Sequence, residues 1–321
     1  MNKIWYKTVA SLIHKDSGAS RDGDAKEICG WDCFLDNTDR NFVTYFGRNL
    51  SPTYAAAELL WYLSGAEDIY MISKYAPQYE RFANDGIAFG AYGHRWEQDP
   101  AFKDANNRGF RSQLDAMVSL LRGKPETRQA IITMWNAGDL LHAFEGDKND
   151  LPCTLSLHFL VRDEKLNLIA TMRSNDIWLG LPYDLFAFTT LQRLIAWELG
   201  YEAGWYKHQA GSEHLYIRNE EKAKKTLEGE YLKQEYHGYP KLYKGPFDLF
   251  DQIKFALDWE ESVREENLFD IISVKEQIGN PILQDLVLCC AWKFCQSAEW
   301  KKRIIFALNS HIFKEIFRGK A

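Results

Sequence analysis

Polar and apolar residues alternate through the middle of the chain in the pattern of a β-hairpin. The alternation runs over residues 154–159, a polar turn follows at 162–165, and residues 166–172 form a second apolar stretch. A period of two residues is typical of strands with one buried face. The pattern therefore predicts two paired strands, and the apolar run at 128–135 predicts a third.

Other segments carry apolar residues at helical spacing. An apolar stripe predicts a buried helix over residues 184–199, which ends at Gly200 because glycine favours helix termination. Helical patterns recur at residues 58–63, preceded by the start signal Ser51-Pro52, and at residues 249–259 and 283–294. The order strand, hairpin, long helix, strand predicts an α+β fold in which a sheet packs against helices.

The composition narrows the class of protein without indicating a reaction. Hydrophobic residues make up 46% and charged residues 26% of the 321 residues, which excludes a disordered chain. The net charge of −6 argues against a nucleic-acid-binding protein. We see no signal peptide and no run long enough to cross a membrane, so we expect a cytoplasmic protein. The six cysteines lack paired C-x-x-C spacing, so we expect neither a metal site nor a disulfide framework.

Candidate chemistry is concentrated in two short segments. Cys153 follows Pro152 and directly precedes the first hairpin strand, and Arg173 and Ser174 end the second. A Gly-Leu-Pro turn and Asp184 follow at the start of the predicted buried helix. A reactive thiolate needs nearby positive charge, which Arg173 supplies. On these residues alone Cys153 can equally be structural, Arg173 a surface charge and Asp184 a helix N-cap.

The run from Arg173 to Tyr183 resembles the thymidylate synthase signature R-S-x-D-x-x-L-G-L-P-F-N, and Leu151-Pro152-Cys153 resembles the catalytic segment of that family. Three more stretches agree in the same order: Glu58-Leu59-Leu60-Trp61-Tyr62-Leu63-Ser64-Gly65, Tyr92-Gly93-His94-Arg95-Trp96 and His214-Leu215-Tyr216. The resemblance covers roughly residues 20–220. It implies a thymidylate synthase-like three-layer fold of sheet and helices in a catalytic domain over residues 1–244. A helical region over residues 245–321 is expected to pack on it.

The resemblance also implies roles for individual residues. Cys153 would attack carbon 6 of a pyrimidine nucleoside monophosphate, which makes carbon 5 nucleophilic. Glu58 would organise water and proton transfers, Tyr92 would help remove the carbon 5 proton, and Asp176 would contact the folate ring of 5,10-methylene-tetrahydrofolate. The nucleotide itself would be held by Arg21, Arg173 and Ser174 at the phosphate and by His214 and Tyr216 at the sugar 3′-hydroxyl. Arg128 matches an arginine donated to the partner's phosphate site, which implies a homodimer.

Asp184 departs from the family pattern at the position that contacts the base. The synthases have an Asn there, whose amide donates to O4 of uracil and accepts from N3. An ionised carboxylate cannot donate, but it accepts from the 4-amino group of cytosine and from a protonated N3. Asp184 therefore points to cytosine and resembles the phage deoxycytidylate hydroxymethylases, which carry Asp at this place.

Other departures bear on the last step of the reaction. Thr154, Ser212 and Gln129 replace a His, an Asp and an Arg of the synthases, and the family's closing segment is not recognisable at residues 304–321. The W-D-E-W stretch before the Tyr92 motif also lacks a counterpart. Because these parts shield the methylene intermediate from water, we expect a hydroxymethyl product.

The leading hypothesis is a dCMP 5-hydroxymethyltransferase. The alternatives are CMP hydroxymethylation, dUMP hydroxymethylation or methylation, and a non-catalytic nucleotide- or RNA-binding regulator.

Overall fold

The computed structural model describes residues 1–20, 23–105, 107–232, 239, 248–266 and 269–320. Six strands form one sheet: β1 (Ser17–Gly18), β2 (Ala25–Leu35), β3 (Ile131–Thr133), β4 (Thr154–Arg162), β5 (Lys165–Asp176) and β6 (Glu202–Tyr216). The helices of the first 230 residues are α1 (Asn2–Ile13), α2 (Pro52–Ser64), α3 (Tyr70–Tyr75), α4 (Tyr92–Gln98), α5 (Pro100–Ala105), α6 (Gln113–Gly123), α7 (Asp139–Glu145), α8 (Leu181–Leu199) and α9 (Ile217–Leu227). The later helices are α10 (Leu249–Glu261), α11 (Ile271–Gln277), α12 (Pro281–Phe294), α13 (Ala298–Ala307) and α14 (His311–Arg318). Short 3-10 helices lie at Thr38–Arg40 and Pro77–Phe82, and a π-helical turn at Ser262–Glu266.

The sheet has the strand order β1-β2-β6-β5-β4-β3. β5 and β6 are parallel, and the other neighbours are antiparallel. A parallel pair needs a crossover connection, and here the connection is the long helix α8. The parallel register brings the carboxyl ends of β5 and β6 together, with Asp176 opposite His214. That shared edge is where the predicted chemistry lies.

The predicted hairpin is confirmed as β4 and β5. Its turn is tighter than expected, because only Asp163 and Glu164 separate the strands, both at positive φ (52° and 57°). Two consecutive positive φ values are typical of the two-residue turn whose twist matches paired strands. A register shift between Thr154 and Ser156 marks a bulge at the start of β4, immediately after Cys153. Bulges of this kind redirect a side chain at a strand end.

The third predicted strand is shorter than expected. The prediction spanned residues 128–135, but β3 covers only Ile131–Thr133 at the edge of the sheet. The side chain of Gln113 replaces a further strand there, because its amide accepts from Thr133 N at 2.9 Å and donates to Thr133 O at 3.0 Å. Covering an edge strand with a side chain in this way prevents further pairing.

Helices form successive layers on one face of the sheet. α8 packs on β5 and β6, α2 packs on α8, and α12 packs on α2. The predicted helices at residues 58–63, 249–259 and 283–294 are confirmed within α2, α10 and α12. Ser51 caps α2 by accepting from Tyr54 N at 3.2 Å, as its start signal predicted. The α+β class and the additional C-terminal helices are therefore confirmed.

The start of α8 differs from the prediction in a way that matters for the site. The helix begins at Leu181 rather than at residue 184, because Gly180 is its N-cap and Pro182 fits its first turn. Asp184 is consequently not a helix cap but an inward-facing residue of the first turn, 8% exposed. The predicted end is confirmed, since Gly200 adopts the left-handed conformation with φ 79°.

The opposite face of the sheet carries apolar side chains. Strand alternation puts Phe34 and Trp205 on the face opposite Tyr206, which is fully buried. The rings of Phe34 and Trp205 lie 5.7 Å apart, and Phe34 is 55% exposed. In the described part of the chain, no helix is both long and apolar enough to cross a membrane.

Candidate active site

A cavity of about 1870 Å³ opens where β5 and β6 end against α2 and α8. It is large enough for two ligands of nucleotide and cofactor size. The sequence-predicted residues that line it are Glu58, Tyr92, Cys153, Arg173, Ser174, Asp176, Asp184, His214 and Tyr216. Arg128 is exposed and does not line it. Arg21 lies outside the described residues, although Ser17, Gly18, Ala19 and Ser20 before it line the cavity.

Cys153 is held beside Arg173 by backbone and side-chain hydrogen bonds. Arg173 N donates to Cys153 O at 2.8 Å. The Arg173 guanidinium donates to Pro152 O and Leu151 O, both at 3.0 Å. These bonds fix the cysteine segment against β5 and place the guanidinium charge next to the thiol.

The surroundings of the Cys153 thiol act on its pKa in opposite directions. Burial raises its pKa above the ordinary value, and the negative charges of Asp150 and Asp184 act in the same direction. The positive charge of Arg173 and a hydrogen bond with Ser174 lower the pKa, but they do not outweigh burial. Arg173 and Ser174 are therefore the groups that stabilise the thiolate when it forms.

Glu58 is a buried carboxyl group on α2 with two tyrosine partners. The Tyr54 hydroxyl donates to Glu58 Oε1 at 2.5 Å. Burial raises the pKa of Glu58 to about 7, although hydrogen bonds from Tyr54 and Tyr62 lower it. A carboxyl group with this pKa exchanges protons readily at neutral pH, as general acid–base catalysis requires.

Tyr92 lies at the first position of α4, close to the Glu58 cluster. Gly93 allows this approach, because a Cβ there would collide with Tyr62 O. The Tyr92 and Tyr62 rings are 5.2 Å apart. Burial raises the pKa of Tyr92 well above its ordinary value, and the neighbouring Thr154 hydroxyl only partly opposes this. Tyr92 therefore acts as a neutral hydroxyl, which donates and accepts hydrogen bonds but is not a phenolate base.

Asp184 faces the cavity with a buried carboxyl group. Burial raises its pKa well above the ordinary value, the Glu58 charge adds to this, and a hydrogen bond from Asn175 opposes it. A protonated carboxyl has one donor oxygen and one acceptor oxygen, as an amide has one donor and one acceptor. The sequence argument treated Asp184 as an ionised acceptor, whereas burial favours the protonated form, which also has a donor.

The end of β5 and β6 forms the remaining wall. Asp176 accepts from Trp178 N at 2.8 Å and from Leu179 N at 3.2 Å. The His214 and Tyr216 rings lie 4.9 Å apart in an edge-on arrangement. The three side chains form one polar wall of the cavity, and the predicted folate ligand Asp176 lies next to the predicted sugar ligands.

A model of the thymidylate synthase family, described as "Thymidylate synthase", matches residues 6–244. The chain belongs to the thymidylate synthase family. It is similar to a protein described as "Deoxyuridylate hydroxymethyltransferase" from Bacillus phage SP01, with 33% identity over 221 residues, 66% of this chain and 56% of that protein. A protein of the same description from Pseudomonas phage M6 is 30% identical over 172 residues, 53% of this chain and 46% of that protein. The chain thus spans about half the length of these curated relatives.

Three positions at which this chain differs from the thymidylate synthases can be located in the structure. Thr154 contacts Tyr92, and Ser212 lines the cavity on β6. Gln129 is exposed beside Arg128, away from the cavity of its own chain. The altered positions therefore lie in or beside the cavity and at the surface that carries Arg128.

In the part of the chain that the structure describes, the C-terminal helices do not line the cavity. Among the described residues, every residue that lines the cavity precedes position 219. The helix α14 instead packs into the core, where Phe313 contacts Phe42 and Phe186 at 5.7 and 5.8 Å. The described cavity wall is thus left without a contribution from the chain's last helices.

Several residues of the site were missed by the sequence argument. Tyr54 and Tyr62 lie one turn to either side of Glu58 on α2, so helical spacing from Glu58 could have found them. Arg48 lines the cavity and donates from Nε to Trp178 O at 2.8 Å. Asn175 lies inside the signature, but nothing in its sequence neighbourhood indicates its partners.

A group of possible metal ligands lies at the rim of the cavity. The ligand atoms of His142, Glu145 and Asp147 lie within 4.8 Å of one another. Asp147 is already paired with His142 at 3.0 Å and with Lys148 at 3.4 Å. Because Glu145 and Asp147 are exposed as well, the group supports no metal assignment, and the expected absence of a metal stays a prediction.

Proposed function

We propose that this protein transfers a hydroxymethyl group to carbon 5 of a pyrimidine nucleoside monophosphate, with dCMP as the first candidate. The observation that carries the proposal is the convergence of Cys153, Glu58 and Asp184 in one cavity of about 1870 Å³. A nucleophile, a proton-exchanging carboxyl and a base-contacting carboxyl are the groups that the reaction needs.

Cys153 is the proposed nucleophile. Its sulfur forms a bond to carbon 6, and the electron pair of the ring double bond moves to make carbon 5 nucleophilic. Arg173 and Ser174 favour this step because they lower the pKa of a thiol that burial has raised. Carbon 5 then bonds to the methylene carbon of methylene-tetrahydrofolate and loses its proton, and tetrahydrofolate leaves. Water adds to the resulting exocyclic methylene, and expulsion of the sulfur restores the ring double bond.

The proton transfers are assigned to Glu58 and Tyr92. The pKa of Glu58, about 7, suits a group that accepts and returns a proton through water. Tyr92 stays neutral, so we assign it to holding the water that takes the carbon 5 proton. These roles were implied by the family resemblance, and the pKa directions support them.

The nucleotide is assigned to the wall formed by the ends of β5 and β6. Arg173 and Ser174 there, together with Arg21, are the proposed phosphate ligands. His214 and Tyr216 are the proposed ligands of the sugar 3′-hydroxyl. The partner's Arg128 completes the phosphate site in a homodimer. Two observations support the dimer: Arg128 does not line its own cavity, and the sheet face opposite Tyr206 carries the exposed Phe34.

The one-carbon donor is assigned to the side of the cavity that contains Asp176. The donor set fits a folate ring, because a carboxyl anchored by two backbone N–H groups offers an acceptor to ring nitrogens. Methylene-tetrahydrofolate supplies carbon at the oxidation level of formaldehyde. Water addition gives a hydroxymethyl product with no change of folate oxidation state, and no described residue after position 218 lines the cavity to exclude water.

Asp184 supports cytosine in a specific way. A neutral carboxyl donates its proton to N3 of cytosine and accepts from the 4-amino group. Proton donation to N3 withdraws electrons from the ring and favours attack at carbon 6. An amide at this position can pair with the same edge but cannot release a proton.

dUMP is the second candidate base partner, because both curated relatives are described as deoxyuridylate hydroxymethyltransferases. A neutral Asp184 is compatible with uracil when its donor oxygen faces O4 and its acceptor oxygen faces N3.

A non-catalytic nucleotide- or RNA-binding regulator is the alternative from another class, and it predicts binding without turnover.

The testing experiment measures tritium release from carbon 5 of dCMP, CMP and dUMP in the presence of methylene-tetrahydrofolate. The proposal predicts that tritium release is highest with dCMP. It also predicts a product that is heavier than the nucleotide substrate by the mass of formaldehyde. Tight nucleotide binding without tritium release from any of the three would favour the regulator instead.

A further inference from the structure

A buried chain of hydrogen bonds lies behind Asp184. Tyr206 Oη is 2.7 Å from His208 Nδ1, and His208 Nε2 is 3.0 Å from Asn175 Nδ2. Tyr206 and His208 are fully buried and Asn175 is 3% exposed. Asn175 lines the cavity and is the last member of the chain before Asp184, to which it donates a hydrogen bond.

The direction of each hydrogen bond follows from the chemistry of the groups. Burial lowers the pKa of His208 to about 3, so the ring is neutral and has one donor nitrogen and one acceptor nitrogen. The Asn175 amide nitrogen can only donate, so Nε2 accepts and the proton is on Nδ1, which donates to Tyr206 Oη. His208 thereby prevents the Asn175 amide from turning over.

The orientation of the Asn175 amide determines what Asp184 faces. Gly180 leaves room for both side chains, since a Cβ there would lie 2.5 Å from Asn175 Oδ1 and 3.3 Å from Asp184 Oδ2. With its nitrogen held toward His208, Asn175 also donates to Asp184. An Asp184 oxygen that accepts this bond is the acceptor of the carboxyl group, so the proton stays on the other oxygen.

We propose that Asn175 and His208 are positioning residues that fix the donor and acceptor oxygens of Asp184 and thereby determine which pyrimidine base the site accepts. Cytosine needs the donor oxygen opposite N3 and the acceptor oxygen opposite its 4-amino group. Uracil needs the opposite order, with the acceptor opposite N3 and the donor opposite O4. A carboxyl group without Asn175 can take either order, so it loses its preference.

The inference rests on the proposed hydroxymethyl transfer, and its test compares variants through a ratio. The ratio is kcat/KM for dCMP divided by kcat/KM for dUMP, measured by tritium release. Asn175→Leu removes the donor at nearly constant volume, and it is expected to move the ratio toward one by roughly tenfold or more. The expectation holds whichever base the wild type prefers.

A second pair of variants tests the same series of hydrogen bonds and leaves Asn175 unchanged. His208→Leu removes the acceptor that holds the amide and is expected to move the ratio in the same direction. His208→Gln keeps an acceptor and is expected to retain the wild-type ratio. If His208 had only a structural role, His208→Leu and His208→Gln would have the same ratio.

The matched control is Asn167→Leu on the same strand, β5. Asn167 is 2% exposed, donates to Leu160 O at 3.2 Å and accepts from Trp205 N at 3.0 Å, all away from the cavity. Its loss is expected to leave the ratio unchanged. A ratio that stays within threefold of wild type in both Asn175→Leu and His208→Leu would overturn the inference. Absence of turnover in the wild type with every nucleotide would instead overturn the proposed function.

Discussion

The Tyr54 hydroxyl donates a 2.5 Å hydrogen bond to the buried carboxylate oxygen Oε1 of Glu58. The two residues lie one helical turn apart on α2, and both line the cavity. Burial alone would raise the pKa of Glu58 further, and this bond is one of two that hold it at about 7. The pair therefore sets the pH at which the site exchanges protons.

Tyr54→Phe removes a donor that stabilises the ionised form of Glu58. The pKa of Glu58 is then expected to rise above 7. The limb of the kcat profile that requires ionised Glu58 should move to higher pH, by about one unit. The pH dependence of tritium release measures the shift.

Tyr239→Phe is the control, because Tyr239 also donates to a buried carboxyl, Asp285, at 2.9 Å, but outside the cavity. It is expected to leave the profile unchanged. An unshifted profile in Tyr54→Phe would exclude ionised Glu58 as the group that limits turnover.

Cys153→Ser is expected to lower turnover on the order of 10³-fold or more while nucleotide binding persists. A serine hydroxyl ionises far less than a thiol, and Arg173 and Ser174 cannot compensate for that difference. Single-turnover kinetics and nucleotide binding are measured side by side. Cys29→Ser, an exposed position outside the cavity, serves as the control. Substantial product from Cys153→Ser would remove the thiol from the mechanism.

Arg128→Ala is expected to weaken nucleotide binding by roughly ten- to a hundredfold, because a charge-assisted bond to phosphate is lost. Binding affinity and activity are measured for the variant alone and after exchange with Cys153→Ser subunits. Hybrid dimers form one complete site of two, so a random mixture should recover roughly a quarter of wild-type activity. No recovery after verified subunit exchange would contradict a shared site.

Asp184→Asn is expected to shift base preference toward uridylate by roughly ten- to a hundredfold. The amide keeps a donor and an acceptor but cannot release a proton to N3 of cytosine. The loss for dCMP should appear mainly in kcat, since pairing is retained. Competition between dCMP and dUMP measures the preference, and an unchanged preference for dCMP would show that Asp184 does not select the base.

The elements that the sequence predicted well are those with strong local signals. The β4–β5 hairpin follows from alternation and a polar turn, and the end of α8 follows from Gly200. The candidate site was found because its residues occur in ordered motifs, and the structure brings nine of them into one cavity. Arg128, predicted to serve the partner subunit, lies outside it.

The features that the sequence did not predict depend on distant contacts. Gln113 covers the edge of β3 from a position 20 residues away, and no periodicity indicates such a contact. Asn175 and His208 are 33 residues apart, and their hydrogen bond exists only because β5 and β6 are parallel neighbours. The raised pKa of Asp184 is also invisible in sequence, because it follows from burial rather than from residue type.

The most direct test of the account measures dihydrofolate and product mass in the same reaction. The account predicts a product heavier than the substrate by the mass of formaldehyde, without the absorbance increase of dihydrofolate, because water completes the reaction. A methylated product that accumulates in step with dihydrofolate would contradict it, since hydride rather than water would then complete the transfer.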